Sequence, residues 1–347
     1  MQKHLTKGVA LAAAAVLAAG GSALAQTKHT LKIALFSPEP STASIWFKKA
    51  KAEAAEKSKG RLELQMFFGS SMGPMPRHYD LARKGVADMA FFQHGVTPGR
   101  FPLTELTHAP YLFPPGAKGA VVGAKVAGDL LPKYFQAEHE KAGTRGMWIV
   151  FNRPSGVYDS KKPIMSVADL NGRRYRAPTP TDVLMMKALG AAPIGMPATH
   201  MAESLQKGTI DGVVTDPMGI FAFKLGGLVQ HYTPMFVSVI SFGLAMNPKA
   251  YDKLPNDLKP MVDAMGTKEA GVAMATYAWG GDPPVFTKYM NGLKLNRVAL
   301  PAAADKEMRA LGEKIMDQRI AALEKKGLPA RKVYDELKAL SAKYSAM

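Results

Sequence analysis

The sequence predicts an α/β fold made of two lobes with a cleft between them. Two separate stretches of the chain show strands alternating with helices in a β-α-β-α-β order. In the first stretch we predict strands over residues 30–36, 62–67 and 88–92, and helices over residues 41–59 and 79–84. Such alternation is typical of a parallel sheet covered by helices. Two units of this kind therefore indicate two sheets, one in each lobe.

The second stretch carries the residues on which the functional prediction depends. Its predicted strands cover residues 173–177, 193–196 and 210–214, with helices over 180–189 and up to 207. Gly190 and Gly208 follow these helices, as the left-handed residue at a helix end often does. Open parallel sheets bind ligands beyond the carboxyl ends of their strands. We therefore expect a binding crevice at that edge of the second sheet.

Arg176 lies near the end of the first strand of this stretch. Alternation along the strand puts Arg174 and Arg176 on one face and Tyr175 on the other. The planar guanidinium of Arg176 suits bidentate recognition of a ligand carboxylate. The alternative is an arginine that pairs with a structural carboxylate at a strand end. Arg173 and Arg174 are predicted to be solvated or structural.

The first 25 residues read as a cleavable secretory signal peptide. Two lysines precede an apolar, alanine-rich run, and small residues follow at positions 23–25. This pattern is typical of export signals and is too short for a membrane span. The chain contains no cysteine, so neither a disulfide nor a lipid anchor on cysteine is predicted. We expect a soluble exported protein.

The chain is basic, with 45 Lys and Arg against 28 Asp and Glu and a formal charge of +17. The lysines are interleaved with acids along predicted helix faces rather than gathered with aromatic residues. This distribution, together with export, argues against a nucleic-acid partner. We interpret the charge as a mild attraction for anions. An exported scaffold or polyanion binder stays open as a third class.

The sequence contains one hydrolase-like serine motif and eight histidines. The run Gly69-Ser70-Ser71-Met72-Gly73 matches the G-x-S-x-G pattern of hydrolases. A nucleophile elbow needs a helix directly after the serine, and prolines intervene here, so a tight turn is favoured. The eight histidines show no metal-ligand spacing, and neither a metal nor a cofactor is predicted. His94 follows a predicted strand and either lines the cleft or makes local hydrogen bonds.

Several runs together resemble the solute-binding proteins of tripartite ATP-independent periplasmic (TRAP) transporters, of the C4-dicarboxylate (DctP) type. They are DLNGRRYRAP, ALGAAPIGMP and ESLQKGTIDG, joined by GVADMAFF, GRFPLTELTHAPYLFP and FGLAMNPKAYDKLP. The resemblance implies a periplasmic binding fold with discontinuous domains, no catalysis, and delivery of a small organic acid to membrane permease subunits. It also implies that Arg176 grips the acid, and that a long helix from about residue 255 towards Trp279 braces both lobes.

The chain departs from the family's commonest pattern after the strand predicted over residues 145–152. Many members carry a second ligand-gripping arginine at the position held here by Ser155, whereas Arg153 lies two residues earlier. The resemblance therefore points to a branch that takes monocarboxylates, with aromatic, keto or hydroxy acids as cargo. Dicarboxylate and sialic-acid-type cargo are disfavoured.

The predicted domains are a signal peptide (1–25), lobe I (26–150 and about 237–281) and lobe II (151–236 and about 282–347). Asp216 is either an N-cap or an acceptor for a ligand hydroxyl, and it would repel a second carboxylate. The predicted function is a TRAP solute-binding protein, and the alternative is an exported serine hydrolase that uses Ser71. The predicted ligand-binding residues are Arg176, Phe36, Phe91, Gln93, Trp148, Asn152, Thr215 and Asp216; for Phe91 and Trp148, packing in the core is the alternative.

Overall fold

A computed structural model describes residues 27–347, so the predicted signal peptide lies outside the described residues. Within this range the chain forms two sheets. The strands are β1 (His29–Leu35), β2 (Leu62–Phe67), β3 (Met89–Gln93), β4 (Arg145–Phe151), β5 (Gly156–Asp159), β6 (Arg174–Ala177), β7 (Ala192–Gly195), β8 (Gly212–Thr215), β9 (His231–Thr233), β10 (Ser241–Met246) and β11 (Asn296–Arg297).

The first sheet has the strand order β2-β1-β3-β10-β4, and the second has the order β11-β9-β5-β8-β6-β7. The two predicted β-α-β-α-β units form the parallel part of each sheet: β1 pairs with β2 and β3, and β6 pairs with β7 and β8. Strands β10 and β5 join antiparallel to β3 and β8. The α/β fold predicted from the sequence is confirmed.

The helices cover both sheets. They are α1 (Thr42–Lys57), α2 (His78–Arg83), α3 (Ala117–Leu130), α4 (Gln136–Lys141), α5 (Pro180–Ala188), α6 (Met201–Gln206), α7 (Pro217–Ala222), α8 (Pro248–Asp252), α9 (Lys259–Met265), α10 (Lys268–Ala278), α11 (Pro284–Asn291), α12 (Ala302–Glu324) and α13 (Ala330–Ser345). Among the described helices none combines the length and the apolar character needed to cross a bilayer.

The chain passes between the sheets along two neighbouring segments. One follows β4 and the other precedes β10, and they bond to each other through their backbones. Ser155 N donates to Ser238 O at 2.8 Å, and Val237 N donates to Ser155 O at 3.2 Å. Paired crossover segments of this kind are where a hinge between two lobes lies. The exact domain bounds stay a prediction.

The long bracing helix lies elsewhere in the chain than we expected. The segment predicted as one helix from about residue 255 is divided into α9 and α10, because Thr267 starts a new helix and caps it by accepting from Ala270 N. The 23-residue helix α12 spans the two lobes instead. Its Met308 packs with the core beside the second sheet, and its Ile320 packs with α3 and β4 of the first.

A buried ion pair strengthens this brace. Arg319 of α12 donates to Glu105 at 3.1 Å, and the same guanidinium donates to the hydroxyl of Thr181 in α5. The last helix, α13, packs on α3 beside the first sheet, where Val333 and Leu337 are fully buried. The C-terminal helices are therefore attached to both lobes.

Candidate functional site

A cavity lies between the two sheets, at the carboxyl ends of β1, β3, β4, β6 and β8. The centres of water-sized spheres can occupy about 70 Å³ of it, within about 620 Å³ of atom-free space that includes its open mouth. Seven of the eight predicted ligand-binding residues line it: Phe36, Phe91, Gln93, Asn152, Arg176, Thr215 and Asp216. Each lies in the last part of its strand or directly after it, as expected for open α/β sheets.

Arg176 is the largest polar group in the cavity wall, and only 1% of it is exposed. Its Nε donates to Met196 O and its Nη1 donates to Val214 O, both at 3.1 Å. Its Nη2 is buried and has no hydrogen-bond partner among residues 27–347. Burial lowers the pKa of Arg176 to about 10. A buried cation with a free donor favours an incoming anion.

The nearest acid does not neutralise Arg176 by direct pairing. Asp182, at the start of α5, accepts from Thr179 Oγ1 at 2.6 Å and from the hydroxyl of Ser238. Burial is the main reason that the pKa of Asp182 is raised to about 6, and the positive charge of Arg176 opposes this rise. Asp182 therefore joins the helix start to the crossover segment before β10, and it leaves the Nη2 of Arg176 open.

Asp216 lies in the same wall, directly after β8, and it starts α7. Its Oδ1 accepts from Gly219 N at 3.1 Å, so the predicted N-cap is present. Its Oδ2 is buried without a hydrogen-bond partner in the described part of the chain. Burial raises the pKa of Asp216 to about 6, against the opposing effects of the Gly219 amide and the Arg153 charge. The cavity thus has an open donor and an open acceptor.

Aromatic rings form the opposite wall. Phe36 stacks on Phe91 with ring centroids 5.1 Å apart, and Phe242 stacks on Trp279 at 5.2 Å with ring planes 7° apart. Phe36 and Phe242 are 5.9 Å apart, so the four rings are continuous. Phe92 points to the other face of the sheet, as strand alternation predicts. The wall offers a flat apolar surface to the body of a ligand.

Three uncharged polar side chains hold the cavity together. Gln93 Nε2 donates to Pro178 O at 3.0 Å, which joins the end of β3 to the loop after β6. Asn152 uses its Oδ1 to accept from Ile240 N at 2.6 Å. Thr215 lies against α7, where a Cβ on Gly219 would come within 2.3 Å of its Oγ1. The Gln93 contact joins the two lobes, so the cleft is closed.

Trp148 does not line this cavity. Although it lies in β4, its ring packs behind the wall, 6.1 Å from Phe91 and 6.0 Å from Trp46. Its Nε1 is buried without a partner within residues 27–347. Strand alternation cannot distinguish a residue that faces the cleft from one that faces the helices covering the sheet. The structure therefore places Trp148 in the core, and its predicted part in shaping the pocket is corrected.

Arg153 is not a second ligand clamp. Its Nε donates to Trp279 O and its Nη2 donates to Gly281 O, both at 2.7 Å, and Nη2 also contacts Asp282 at 2.6 Å. These contacts hold the end of α10 against the crossover after β4. Ser155 is fully buried at that crossover and accepts from Asn152 Nδ2 at 3.3 Å. Neither residue lines the cavity.

The geometry does not support a serine nucleophile at Ser71. This residue is exposed on a turn, and the next helical turn begins only at Met75. The nearby His78 uses its Nε2 on Gly73 O at 3.1 Å. His94, the other histidine that we considered, is buried against Ser241 O rather than exposed to the cleft. Among the described residues no group of three or more His, Asp or Glu side chains has an arrangement suited to a metal.

Several cavity residues were not predicted from the sequence. Phe242 and Trp279 complete the aromatic wall, and methionines 75, 201 and 218 line the remaining sides. Strand alternation along β10 turns Phe242 towards the cavity, but this signal is informative only once β10 is known to lie beside β3. Trp279 had no local signal, because its position depends on where α10 ends.

Comparison with known proteins identifies the family. The profile of bacterial extracellular solute-binding protein family 7 (DctP) matches residues 35–318. A solute-binding protein of Albidiferax ferrireducens is 25% identical over 220 residues, which are 62% of this chain and 64% of that relative. The alignment thus spans slightly less than two thirds of the relative's length.

Two solved structures have the same fold. One is a TRAP solute-binding protein of Rhodoferax ferrireducens with copurified benzoate, at TM-score 0.83 and 25% identity over 91% of this chain and 98% of that one. The other is a marine-metagenome TRAP protein specific for aromatic acids, with 3-hydroxybenzoate, at TM-score 0.85 and 25% identity over 92% and 99%. The family is a solute-binding component of transport and not a family of enzymes. The chain belongs to bacterial extracellular solute-binding protein family 7, the solute-binding proteins of TRAP transporters.

Proposed function

We propose that this protein captures an organic monocarboxylate in the periplasm and delivers it to the permease subunits of a TRAP transporter. The observation that carries the proposal is the buried Nη2 of Arg176, which has no partner within the described residues and belongs to a cavity wall. A ligand carboxylate would supply the missing acceptor and the missing negative charge.

The body of the ligand is expected to be apolar and flat. Phe36, Phe91, Phe242 and Trp279 form one side of the cavity, and methionines cover other sides. An aromatic ring would stack on this wall with the geometry that aromatic pairs prefer. The two similar structures carry benzoate and 3-hydroxybenzoate, which supports an aromatic acid as cargo here.

Capture requires that the closed state bind the ligand more tightly than the open state, and it involves no chemical reaction. Gln93 bonds to Pro178 across the cleft, and the paired crossover segments at Ser155 and Ser238 allow the lobes to move apart. A ligand that contacts both walls at once binds the closed state more tightly and shifts the population towards it. The closed form would then be the form that the permease receives.

Replacing Arg176 by Ala tests the proposal. We expect the affinity for benzoate, measured by isothermal titration calorimetry, to fall by about 2–5 kcal/mol, because one partner of a buried charge pair is lost. The matched control is Arg174→Ala on the same strand and face, since Arg174 pairs with Asp211 at 2.9 Å away from the cavity. That variant should bind benzoate as the wild type does.

Unchanged benzoate affinity in Arg176→Ala would remove Arg176 from the site. If no member of a panel of aromatic, keto and hydroxy acids raises the melting temperature of the wild type, capture of organic acids is wrong. Labelling of Ser71 by a serine-directed phosphonate would instead favour the hydrolase. Salt-dependent binding to polyanions without any small-molecule shift would favour the third class.

A further inference from the structure

We propose that Asp216 sets the solute specificity by accepting a hydrogen bond from a hydroxyl group of the bound acid. The cargo would then be a hydroxy-substituted apolar monocarboxylate, rather than an unsubstituted acid or a dicarboxylate. This inference rests on the proposed function, because it assigns a second contact to the ligand that Arg176 holds.

The two oxygens of Asp216 have different surroundings. Oδ1 accepts from the Gly219 amide at 3.1 Å and so completes the start of α7. Oδ2 is buried and has no partner in residues 27–347, although Asp216 is only 3% exposed and lines the cavity. A buried acceptor that is left unpaired costs free energy. A hydroxyl on the ligand would remove that cost on binding.

No neighbouring side chain makes a hydrogen bond to Oδ2 among the described residues. Asn152 donates through Nδ2 to Ser155 Oγ at 3.3 Å, and its side chain also opposes the rise that burial causes in the pKa of Asp216. Arg153 donates to the carbonyls of Trp279 and Gly281 and to Asp282. The buried hydroxyl of Tyr158 makes no hydrogen bond to Asp216 or to any other described residue. A hydroxyl on the ligand would therefore supply the hydrogen bond that Oδ2 lacks among the described residues.

The cavity as a whole is complementary to one arrangement of groups. Arg176 Nη2 is an open donor for the acid, Asp216 Oδ2 is an open acceptor for a hydroxyl, and the aromatic wall lies along the same cavity. A second carboxylate on the ligand would meet the Asp216 carboxylate as a like charge, which disfavours dicarboxylates. An unsubstituted acid would leave Oδ2 unpaired, and such sites discriminate strongly against the ligand that lacks the hydroxyl.

Asp216→Asn is a selective probe of this contact. Asparagine is as good an N-cap as aspartate, so it can keep the bond to the Gly219 amide while its Nδ2 replaces the open acceptor by a donor. The matched control is Asp169→Asn, since Asp169 also closes a helical start through backbone amides but is exposed and does not line the cavity.

The experiment measures dissociation constants at pH 8 by calorimetry. The ligands are benzoate, phenylacetate, their ring-hydroxylated isomers, mandelate, and the methyl ethers of the phenols. We expect at least one hydroxy acid to bind the wild type roughly 10- to 100-fold more tightly than its parent and its ether. Asp216→Asn should abolish that preference, so that the hydroxy acid, its parent acid and its ether bind this variant within about threefold of one another. Asp169→Asn should keep the preference.

Lower pH provides a second readout. Burial raises the pKa of Asp216 to about 6, so at pH 5 Asp216 is protonated and the hydroxyl preference should narrow. Of the groups that face Asp216, Arg153 adds a positive charge, and burial keeps the phenols of Tyr158 and Tyr232 neutral by raising each pKa. Asp182, beside Arg176, affects hydroxy acid and parent acid equally, so its titration cancels in their ratio.

The outcomes separate this inference from the proposed function. If the acids bind but no hydroxy acid is preferred tenfold, or if Asp216→Asn keeps the preference, Asp216 does not select a hydroxyl. A preference for ethers or keto acids over hydroxy acids would show that Asp216 donates, which also overturns the inference. If no acid binds to the wild type or to Asp169→Asn, the proposed function itself fails.

Discussion

In the second sheet, the charged residues where β6 and β8 begin are paired, whereas those where these strands end lack a charged partner. Strand β8 begins after Asp211 and ends before Asp216. Asp211 accepts from both Nε and Nη2 of Arg174, at 3.1 and 2.9 Å. Asp216 has an unpaired Oδ2. The pKa of Asp211 is lowered to about 2, mainly by its hydrogen bond to Arg174, whereas burial raises the pKa of Asp216 to about 6.

The arginines of β6 show the same contrast. Before this strand, Arg173 pairs at 2.7 Å with Asp159, which also accepts from the hydroxyl of Tyr175 at 2.6 Å and from the amides of Lys161 and Lys162. At the end of the strand, Arg176 contacts only backbone carbonyls. Where β6 and β8 begin, each buried charge is paired, and this pairing stabilises the fold; we call this the saturated end. Where the two strands end, Arg176 and Asp216 each keep an atom without a hydrogen-bond partner among the described residues; we call this the open end. The unpaired atoms cost folding free energy, and a bound ligand can remove that cost.

The largest expected effect is on folding stability. Asp159→Ala should lower the free energy of unfolding by about 3–5 kcal/mol, because it leaves Arg173 buried and unpaired. Arg176→Met should leave the stability of the ligand-free protein unchanged or raise it, because it removes a buried cation that lacks a carboxylate partner. Urea denaturation monitored by circular dichroism measures both. A similar loss of unfolding free energy in the two variants would mean that the saturated end and the open end do not differ.

The second effect is the change in stability on replacing Asp211 or Asp216, the aspartates directly before and after β8. We expect opposite signs for the two replacements. The pKa of Asp216 is raised from 3.8 to about 6 in the folded state. Its contribution to stability is therefore present below pH 3.8 and is lost as pH rises through 6. At pH 8, Asp216→Asn should raise the free energy of unfolding by about 1–3 kcal/mol, since one pKa unit is about 1.4 kcal/mol.

Asp211 should behave in the reverse way. Its folded pKa is depressed, so its contribution is present above pH 3.8 and is lost as pH falls through about 2. Asp211→Asn should therefore lower the stability at pH 8. Urea titrations at pH 8 and pH 5 compare the two variants. A gain in stability for Asp211→Asn, or a loss for Asp216→Asn, would contradict the assignment of Asp211 to the saturated end and of Asp216 to the open end.

The smallest effect is expected at the aromatic wall. Phe242→Leu should weaken the binding of an aromatic acid by about 0.5–1.5 kcal/mol, because it replaces a stacking ring by an aliphatic group. Phe92→Leu is the matched control, since Phe92 packs on the other face of the first sheet with Tyr79 and Phe101. It should reduce stability without changing affinity. Equal losses of affinity in the two variants would place the ligand away from the wall.

The alternating pattern of strands and helices was readable from the sequence because its signals are local. Gly190 and Gly208 follow their helices with φ values of +83° and +64°, as the predicted helix ends require. The long helix was misplaced because Gly266 and Thr267 divide a run that is apolar enough to continue. The helix that braces the lobes is α12 instead.

Site residues could be predicted where they lie at the end of a strand or directly after it. Arg176, Gln93, Thr215 and Asp216 end or follow strands of the parallel sheets, and all four line the cavity; whether each contacts ligand stays a prediction. For Trp148 the sequence left cavity wall and core open, because the face of the sheet that meets the cleft depends on which helices cover the other face. Phe242 was missed because β10 enters the first sheet only after the chain has formed most of the second.

The sequence by itself determined the family, the two strand–helix units and the arginine at a strand end, because these follow from local periodicity and residue order. Only the tertiary structure decided which charges are paired. Arg153 and Arg176 are both buried arginines, yet one is saturated by Trp279, Gly281 and Asp282 and the other keeps a nitrogen without a partner among the described residues. That difference depends on which distant segments pack against each guanidinium, and no local pattern encodes it.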